Sequence, residues 1–460
     1  MPSTADASSD DVDDVNDPTR RDVVSLSRRQ VLGVAVGALT VGGATGYALG
    51  ARPFKPPVCD TAPLSVEADE WSFPNYDRQH TSAAPPRAAP DTLDERWHAE
   101  RELTRYGTPT VANDRVFVAT ERRDGVVLRA LNLQTGRELW RRAFPDVFGV
   151  NAAAAAGDTV YYHTNTDENG VTVFALAMSD GRVRWTDSLE NLHAYPPPLV
   201  PSEGVAILND ATVGQGASRL YALDVRTGEQ CWATRLDADG LSSLPAAADG
   251  RVYFASRGSS DDGDRTPGSL LALDPTTGET TWRTEIPYGV DGPPVLGNRV
   301  AYLSTFNGPL VAVALDTGEE VWRDEQTELF GEGEVGTEYA QPSYELGALT
   351  PDALVAKLDA HTEAGDRLRG FTPETGEMLW ERVAEGTDGW FTAPTAAGDD
   401  AFVAENSRDD DVPNRLFRLD AETGAVRETL TFESWLHHAP VFADGNAVFA
   451  TGDGIRVFGP

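Results

Sequence analysis

Lysine is nearly missing from this 460-residue chain: Lys55 and Lys357 are the two lysines among 38 basic residues, so arginine carries nearly all the positive charge. Against them stand 73 acidic residues, for a formal net charge of −35 at pH 7. That balance excludes nucleic acid and anionic membrane surfaces as partners, because both would be repelled before contact. A dense carboxylate surface stays hydrated in concentrated salt, which screens its self-repulsion. The acidity therefore reads as adaptation to high salt rather than as the mark of a site.

Cysteine is equally scarce. Cys59 and Cys231 fit no metal-ligand spacing and are too few for a disulfide framework. Cys59 follows Pro56-Pro57-Val58, without the small residue that a lipoprotein signal places before its cysteine. Gly331-Glu332-Gly333-Glu334 lacks a lysine and a following helix, which excludes a phosphate cradle. The runs Asp261-Asp262-Gly263-Asp264 and Asp409-Asp410-Asp411 miss the calcium-loop pattern and read as solvated hairpin tips. No Ser-His-Asp arrangement follows from spacing, so no catalytic residue and no metal site is expected.

One long uncharged run is present, from Val31 to Gly50. It follows Ser27-Arg28-Arg29-Gln30, and the paired Arg28 and Arg29 before an apolar stretch resemble a twin-arginine export signal. Ala48-Leu49-Gly50 offers a small-x-small cleavage site, so the chain is expected outside the cytoplasm, exported folded, and either released or tethered by residues 31–50. The expected organisation is an acidic disordered extension (1–27), the signal or anchor (28–51), a linker and lead-in (52–90) and one repeat domain (91–460).

The repeat is about 45 residues long and decides the fold. Thr-Gly recurs at 135–136, 227–228, 277–278, 317–318, 375–376 and 423–424, with Asp180-Gly181 as a degenerate copy. Four residues after each glycine stands Trp140, Trp185, Trp232, Trp282, Trp322 or Trp380, whereas the last copy places Glu428 there. Alternating runs of β-branched and aromatic residues, such as Val116-Phe117-Val118 and Val252-Tyr253-Phe254, read as strands. In Leu270-Leu271-Ala272-Leu273-Asp274 the closing Asp can accept backbone N–H bonds, and the later Gly278 can take the positive φ that reverses the chain. The tryptophan then supplies a plate for packing between units.

A proline opens the first strand of most units, at Pro109, Pro198, Pro245, Pro294, Pro342, Pro394 and Pro440, with Ala152 in the remaining one. Trp97 lies twelve residues before Pro109, the usual distance from tryptophan to the next opening, so it marks an orphan outer strand. The unit from Pro440 ends without such a strand. Joining the two ends predicts an all-β, eight-bladed β-propeller of four-stranded antiparallel blades, closed by an N-terminal strand carrying Trp97. Seven blades is the alternative, if the unit around 171–185 forms no blade of its own.

The signature from Ala222 to Trp232 and from Ala272 to Trp282 resembles the repeat of pyrroloquinoline-quinone-type propellers, and Trp71-Ser72-Phe73-Pro74-Asn75-Tyr76-Asp77-Arg78 resembles the segment that precedes such repeats. The resemblance covers roughly residues 70–460 and implies the fold. It leaves the activity open, because that family holds quinone-dependent alcohol and sugar dehydrogenases as well as non-enzymatic scaffolds of outer-membrane assembly. The dehydrogenases are known for two adjacent cysteines over a calcium-bound quinone, and Cys59 and Cys231 are not adjacent. The favoured expectation is a non-catalytic, monomeric scaffold that binds an envelope protein or a small ligand without a cofactor. A dehydrogenase using pyrroloquinoline quinone with Ca²⁺ is the alternative.

Function in a propeller sits on the loops at the mouths of its channel. The segments before the first strands hold Tyr106, Phe148, His193, Tyr195, Tyr288, Tyr339, Trp390, Phe391, Trp435, His437 and His438. Aromatic rings interleaved with polar groups suit a peptide, a glycan or a flat cofactor. His437 and His438, as neighbours on a strand, would point to opposite faces and not share one ion.

Overall fold

In the computed structural model each repeat forms one antiparallel sheet. The structure describes residues 64–67, 69–100, 105–147, 149–166, 170–190, 200–202, 204–210, 219–236, 244–256, 258, 267–287, 289–305, 308–324, 343–359, 365–385, 389–409 and 411–460. The leader with Arg28 and Arg29, Cys59, the glycine-rich segment 330–334, the run 261–264, Asp410, Pro198 and Pro342 lie outside them. Among the described residues no helix is long and apolar enough to cross a membrane.

The sheets are eight blades. We number them by residue range as one (110–145), two (154–190), three (200–235), four (246–286), five (295–323), six (343–383), seven (395–432) and eight. Blade eight takes three strands from 441–458 and its outer strand, Glu95–Glu100, from the other end of the chain. Trp97 pairs with Val457 there, so the ring closes as the spacing predicts. The unit at 171–185 belongs to a full blade of its own, which removes the seven-blade alternative.

Blade seven exceeds four strands. Ala83–Ala84 lies parallel to Thr395–Ala397, and Trp390–Phe391 pairs with Asp400–Asn406. In most of the other blades a short inner strand, often three residues long, starts within two residues of the marker proline, as Thr110 follows Pro109. The apolar core is layered between blades: Phe117 and Leu128 of blade one meet Val160 and Tyr162 of blade two in one cluster.

The turn before each outer strand is built as its sequence demands. The Asp224 carboxylate accepts the amides of Arg226 at 2.8 Å and Thr227 at 3.1 Å, and Gly228 reverses the chain at φ +74°. Each tryptophan lies over the corresponding turn of the next blade. The indole N–H donates to a backbone carbonyl there, as Trp140 does to Met178 at 2.9 Å and Trp380 to Ala421 at 2.9 Å, except at Trp282, whose N–H is buried without a partner. Glu428 breaks the tryptophan rule because blade eight has no such turn: its third strand, Gly454–Phe458, pairs with Glu95–Glu100 from a distant part of the chain.

Candidate functional site

Residues Trp71 to Ala84 run around the inside of the ring, handing backbone carbonyls to amides of the inner strands of six blades. Trp71 O accepts Val111 N, Ser72 O accepts Ala155 N, Gln79 O accepts Leu296 N, Thr81 O accepts Leu349 N and Ser82 O accepts Ala396 N, each at 2.8 Å, and Arg78 O accepts Ala247 N at 2.7 Å. Blade three is skipped. Its equivalent residue is Pro201, paired to Ala206, and proline has no N–H to give.

The strap is itself tightly held. The Asp77 carboxylate accepts the amides of Gln79 and Thr81 at 3.0 Å each and the Thr81 hydroxyl at 2.7 Å. His80, 1% exposed, makes a 2.9 Å bond to the Pro245 carbonyl and a 3.1 Å bond to the Asn75 side-chain amide. This pattern requires Nε2 to carry the proton and Nδ1 to accept from Asn75. Desolvation pushes His80 down to about 4, so the ring is neutral.

Above the strap lies a cup of about 700 Å³. Trp71, Pro74, Asn75 and Ser82 of the strap line it, together with the openings of blades five to eight. A ligand in the cup therefore meets strap residues inside the ring.

Lys357, the one lysine among the described residues, stands in the cup wall on the second strand of blade six. It is directly opposite Glu345 in the sheet register. Its ammonium lies 3.5 Å from Asp366 and 3.7 Å from each of Glu345 and Asp359. Burial alone would lower the ammonium, but Glu345, Asp366 and Asp359 together hold it above the usual lysine value. Burial also pushes Asp366 up to about 6, with Asp359 adding to the rise and Lys357 opposing it. The rarity of lysine was the one sequence signal for this cluster. Nothing in the spacing of residues 345, 357, 359 and 366 marks them as neighbours.

Six of the aromatic and histidine candidates are described, and they gather in the sector of blades one, seven and eight. Trp390, Phe391, His437 and His438 line the cup. Trp390 and Trp435 meet edge to face at 5.5 Å and 80°, with Trp435 49% exposed at the rim. Tyr106 is buried with its ring 6.4 Å from His437. The two histidines lie in a bend rather than a strand, and both face the cup, which corrects the opposite-face expectation. Desolvation, with His437 beside it, lowers His438 to about 4. Phe148, His193, Tyr195, Tyr288 and Tyr339 lie outside the described residues.

The family model described as outer membrane protein assembly factor BamB matches residues 89–194, 199–346 and 364–459. The chain belongs to the BamB family. It is 27% identical over 242 residues to outer membrane protein assembly factor BamB of Moranella endobia, covering 47% of this chain and 56% of that protein. It is 24% identical over 314 residues to the Bordetella pertussis protein of the same name, covering 65% of this chain and 69% of that one. The chain thus spans about half the length of the first curated relatives it matches. The crystal structure of BamB from Moraxella catarrhalis superposes with a TM-score of 0.54 at 17% identity, covering 80% of this chain and 98% of that one. Quinohemoprotein alcohol dehydrogenase from Comamonas testosteroni superposes with a TM-score of 0.63 at 15% identity, covering 87% and 83%. Likeness at those identities shows a shared PQQ-type propeller fold.

The described residues of this BamB-family chain do not fit a quinone held as in the dehydrogenases. Cys231 is disulfide-bonded but sits on the outer strand of blade three, away from the cup, and the other cysteine, Cys59, is distant in sequence. The strap residues Trp71, Pro74 and Asn75 line the cup. Among the described residues no three His, Cys, Asp or Glu side chains group as metal ligands.

Proposed function

We propose that this BamB-family propeller is a non-catalytic binding scaffold working as a monomer outside the cytoplasm, at the cell envelope. The observation that carries the reading is the cup lined by Trp390, whose ring meets that of the half-exposed Trp435. A half-exposed indole braced by a second one offers a large, rigid contact area at small entropic cost, which is how aromatic anchors serve protein interfaces. The rest of the ring holds those loops in place. The names of the relatives, assembly factors of the outer membrane, support a partner-binding role.

The test is a crosslinking pull-down from envelopes. A reproducible partner is expected, and it should be lost when Trp390 and Trp435 are both replaced by Ala. Recovery of an uncrosslinked monomer alone would count against the scaffold. Quinone with Ca²⁺ added to the purified protein is expected to give no new absorption spectrum and no dye reduction with alcohols or aldose sugars.

A further inference from the structure

We infer that Cys231 is crosslinked to Cys59, and that this disulfide is a redox-sensitive latch holding the lead-in to blade three. The inference goes beyond partner binding and rests on the extracytoplasmic part of that reading, because disulfides persist in oxidising compartments.

The pairing follows by elimination. Cys231 is disulfide-bonded, and no cysteine is free among the described residues. The sequence offers one other cysteine, Cys59. The described lead-in agrees with that pairing. Leu64 and Val66 pack against the apolar cluster shared by blades two and three, which includes Val173 of the one and Leu223 and Val225 of the other. Residue 64 follows Cys59 by five residues, a reach of at most about 17 Å when fully extended. The lead-in therefore enters the described structure beside the blade that carries Cys231.

Blade three is also the blade that lacks another attachment. Beyond the six inner strands bonded by the strap, Ala84 O accepts Gly398 N of blade seven at 2.9 Å and Ala88 O accepts Gly445 N of blade eight at 3.1 Å. Seven blades thus receive a backbone hydrogen bond from the lead-in. Among the described residues blade three receives none, since Pro201 has no N–H at the place where the strap passes. Cys231 stands on that blade's outer strand, Gln230–Arg235, and is 5% exposed, so a dissolved thiol has little access to it. The crosslink supplies covalently the contact that the proline removes.

The chemistry needs an oxidant of the disulfide class. Two protein thiols and one small-molecule disulfide exchange to give the protein S–S bond and two small-molecule thiols, which carry away both protons and both electrons. A reducing cytoplasm opposes that exchange, so the latch closes outside it.

The test is a peptide map of the full-length protein, alkylated without reduction and read by mass spectrometry. A peptide joining Cys59 to Cys231 is expected, with neither sulfur alkylated. The latch itself is read by melting. Cys59→Ala, Cys231→Ala and the double variant should each melt about 5 °C or more below the oxidised parent, and alike, because either change removes the same bond. The reduced parent should match them, and reductant should leave the variants unmoved. If Cys231→Ala does not fold, Cys59→Ala and the reduced parent still report the bond. Two alkylated cysteines would overturn the pairing, as would a disulfide-linked dimer on a non-reducing gel. A mapped crosslink whose reduction leaves the melting temperature unchanged would overturn the latch. Capture of a partner through Trp390 and Trp435 is read separately: its failure with the crosslink mapped refutes the scaffold alone, and its success without the crosslink refutes the latch alone.

Discussion

The indole N–H of Trp97 donates to the carbonyl of Leu133 at 2.7 Å, joining the N-terminal strand of blade eight to the turn of blade one. Gly136 lies beneath that indole. A Cβ there would stand 2.7 Å from Trp97 Cε3, and the residue has φ +68°. Gly250 has the same φ, yet a Cβ on it would meet nothing within 4 Å. The two sites separate backbone strain from steric exclusion. Gly250→Ala should cost about 1 kcal/mol, the price of a left-handed alanine. Gly136→Ala adds overpacking of about 1–3 kcal/mol. Urea denaturation of both variants measures the difference, and equal losses would show that the closing indole is not packed as described.

The strap should contribute to stability through its main chain. Asp77 makes three hydrogen bonds that hold the turn from which Arg78, Gln79 and Thr81 reach blades four, five and six. Asp77→Ala leaves those amides without their cap, and a loss of roughly 1–3 kcal/mol is expected. Asp77→Asn, which keeps an acceptor oxygen, should retain part of that stability. Thermal melts decide it, and a variant as stable as the parent would mean the strap is not structural.

The ring was legible because its determinants repeat. Trp, Thr-Gly and Pro recur at fixed offsets, and counting back from Pro109 leads to Trp97 before any geometry is known. Even the exception at Glu428 has a reason in closure, since the turn it would cover is replaced by the pairing of Glu95–Glu100 with Gly454–Phe458. The strap was not legible, because its bonds use carbonyl groups that every residue possesses. Only Pro201 betrays the path, by its missing N–H. The Lys357 cluster was hidden for a different reason. Glu345 faces Lys357 through strand register, and register depends on turns and bulges that residue types specify poorly.

Trp435 gives a contrast between fold and function. Half of its surface is exposed and its described ring contact is the edge-to-face one with Trp390, so Trp435→Ala should cost about 1–3 kcal/mol, less than a fully buried tryptophan would. Capture of the envelope partner should nevertheless fall sharply. A variant that melts as the parent does and still captures the partner would remove the rim indole from the interface.

His80 should make the protein acid-sensitive in a defined window. Its folded-state value is about 4 against an ordinary 6.5, because desolvation disfavours the charged ring. Above pH 6.5 both folded and unfolded states hold it neutral, and its contribution to stability is complete. As pH falls from 6.5 toward 4 the unfolded chain binds a proton that the folded chain refuses, so stability declines through that window by up to roughly 3 kcal/mol. Asp77, also buried, has a raised value and acts with the opposite sign, so the comparison must be made between His80→Gln and the parent rather than on the parent alone. His80→Gln is expected to be less stable at pH 7.5, since its side chain cannot reproduce both bonds, but to show a shallower loss of stability between pH 6.5 and 4.5. Parallel pH profiles for the two proteins would show that the neutral imidazole in the strap does not govern acid unfolding.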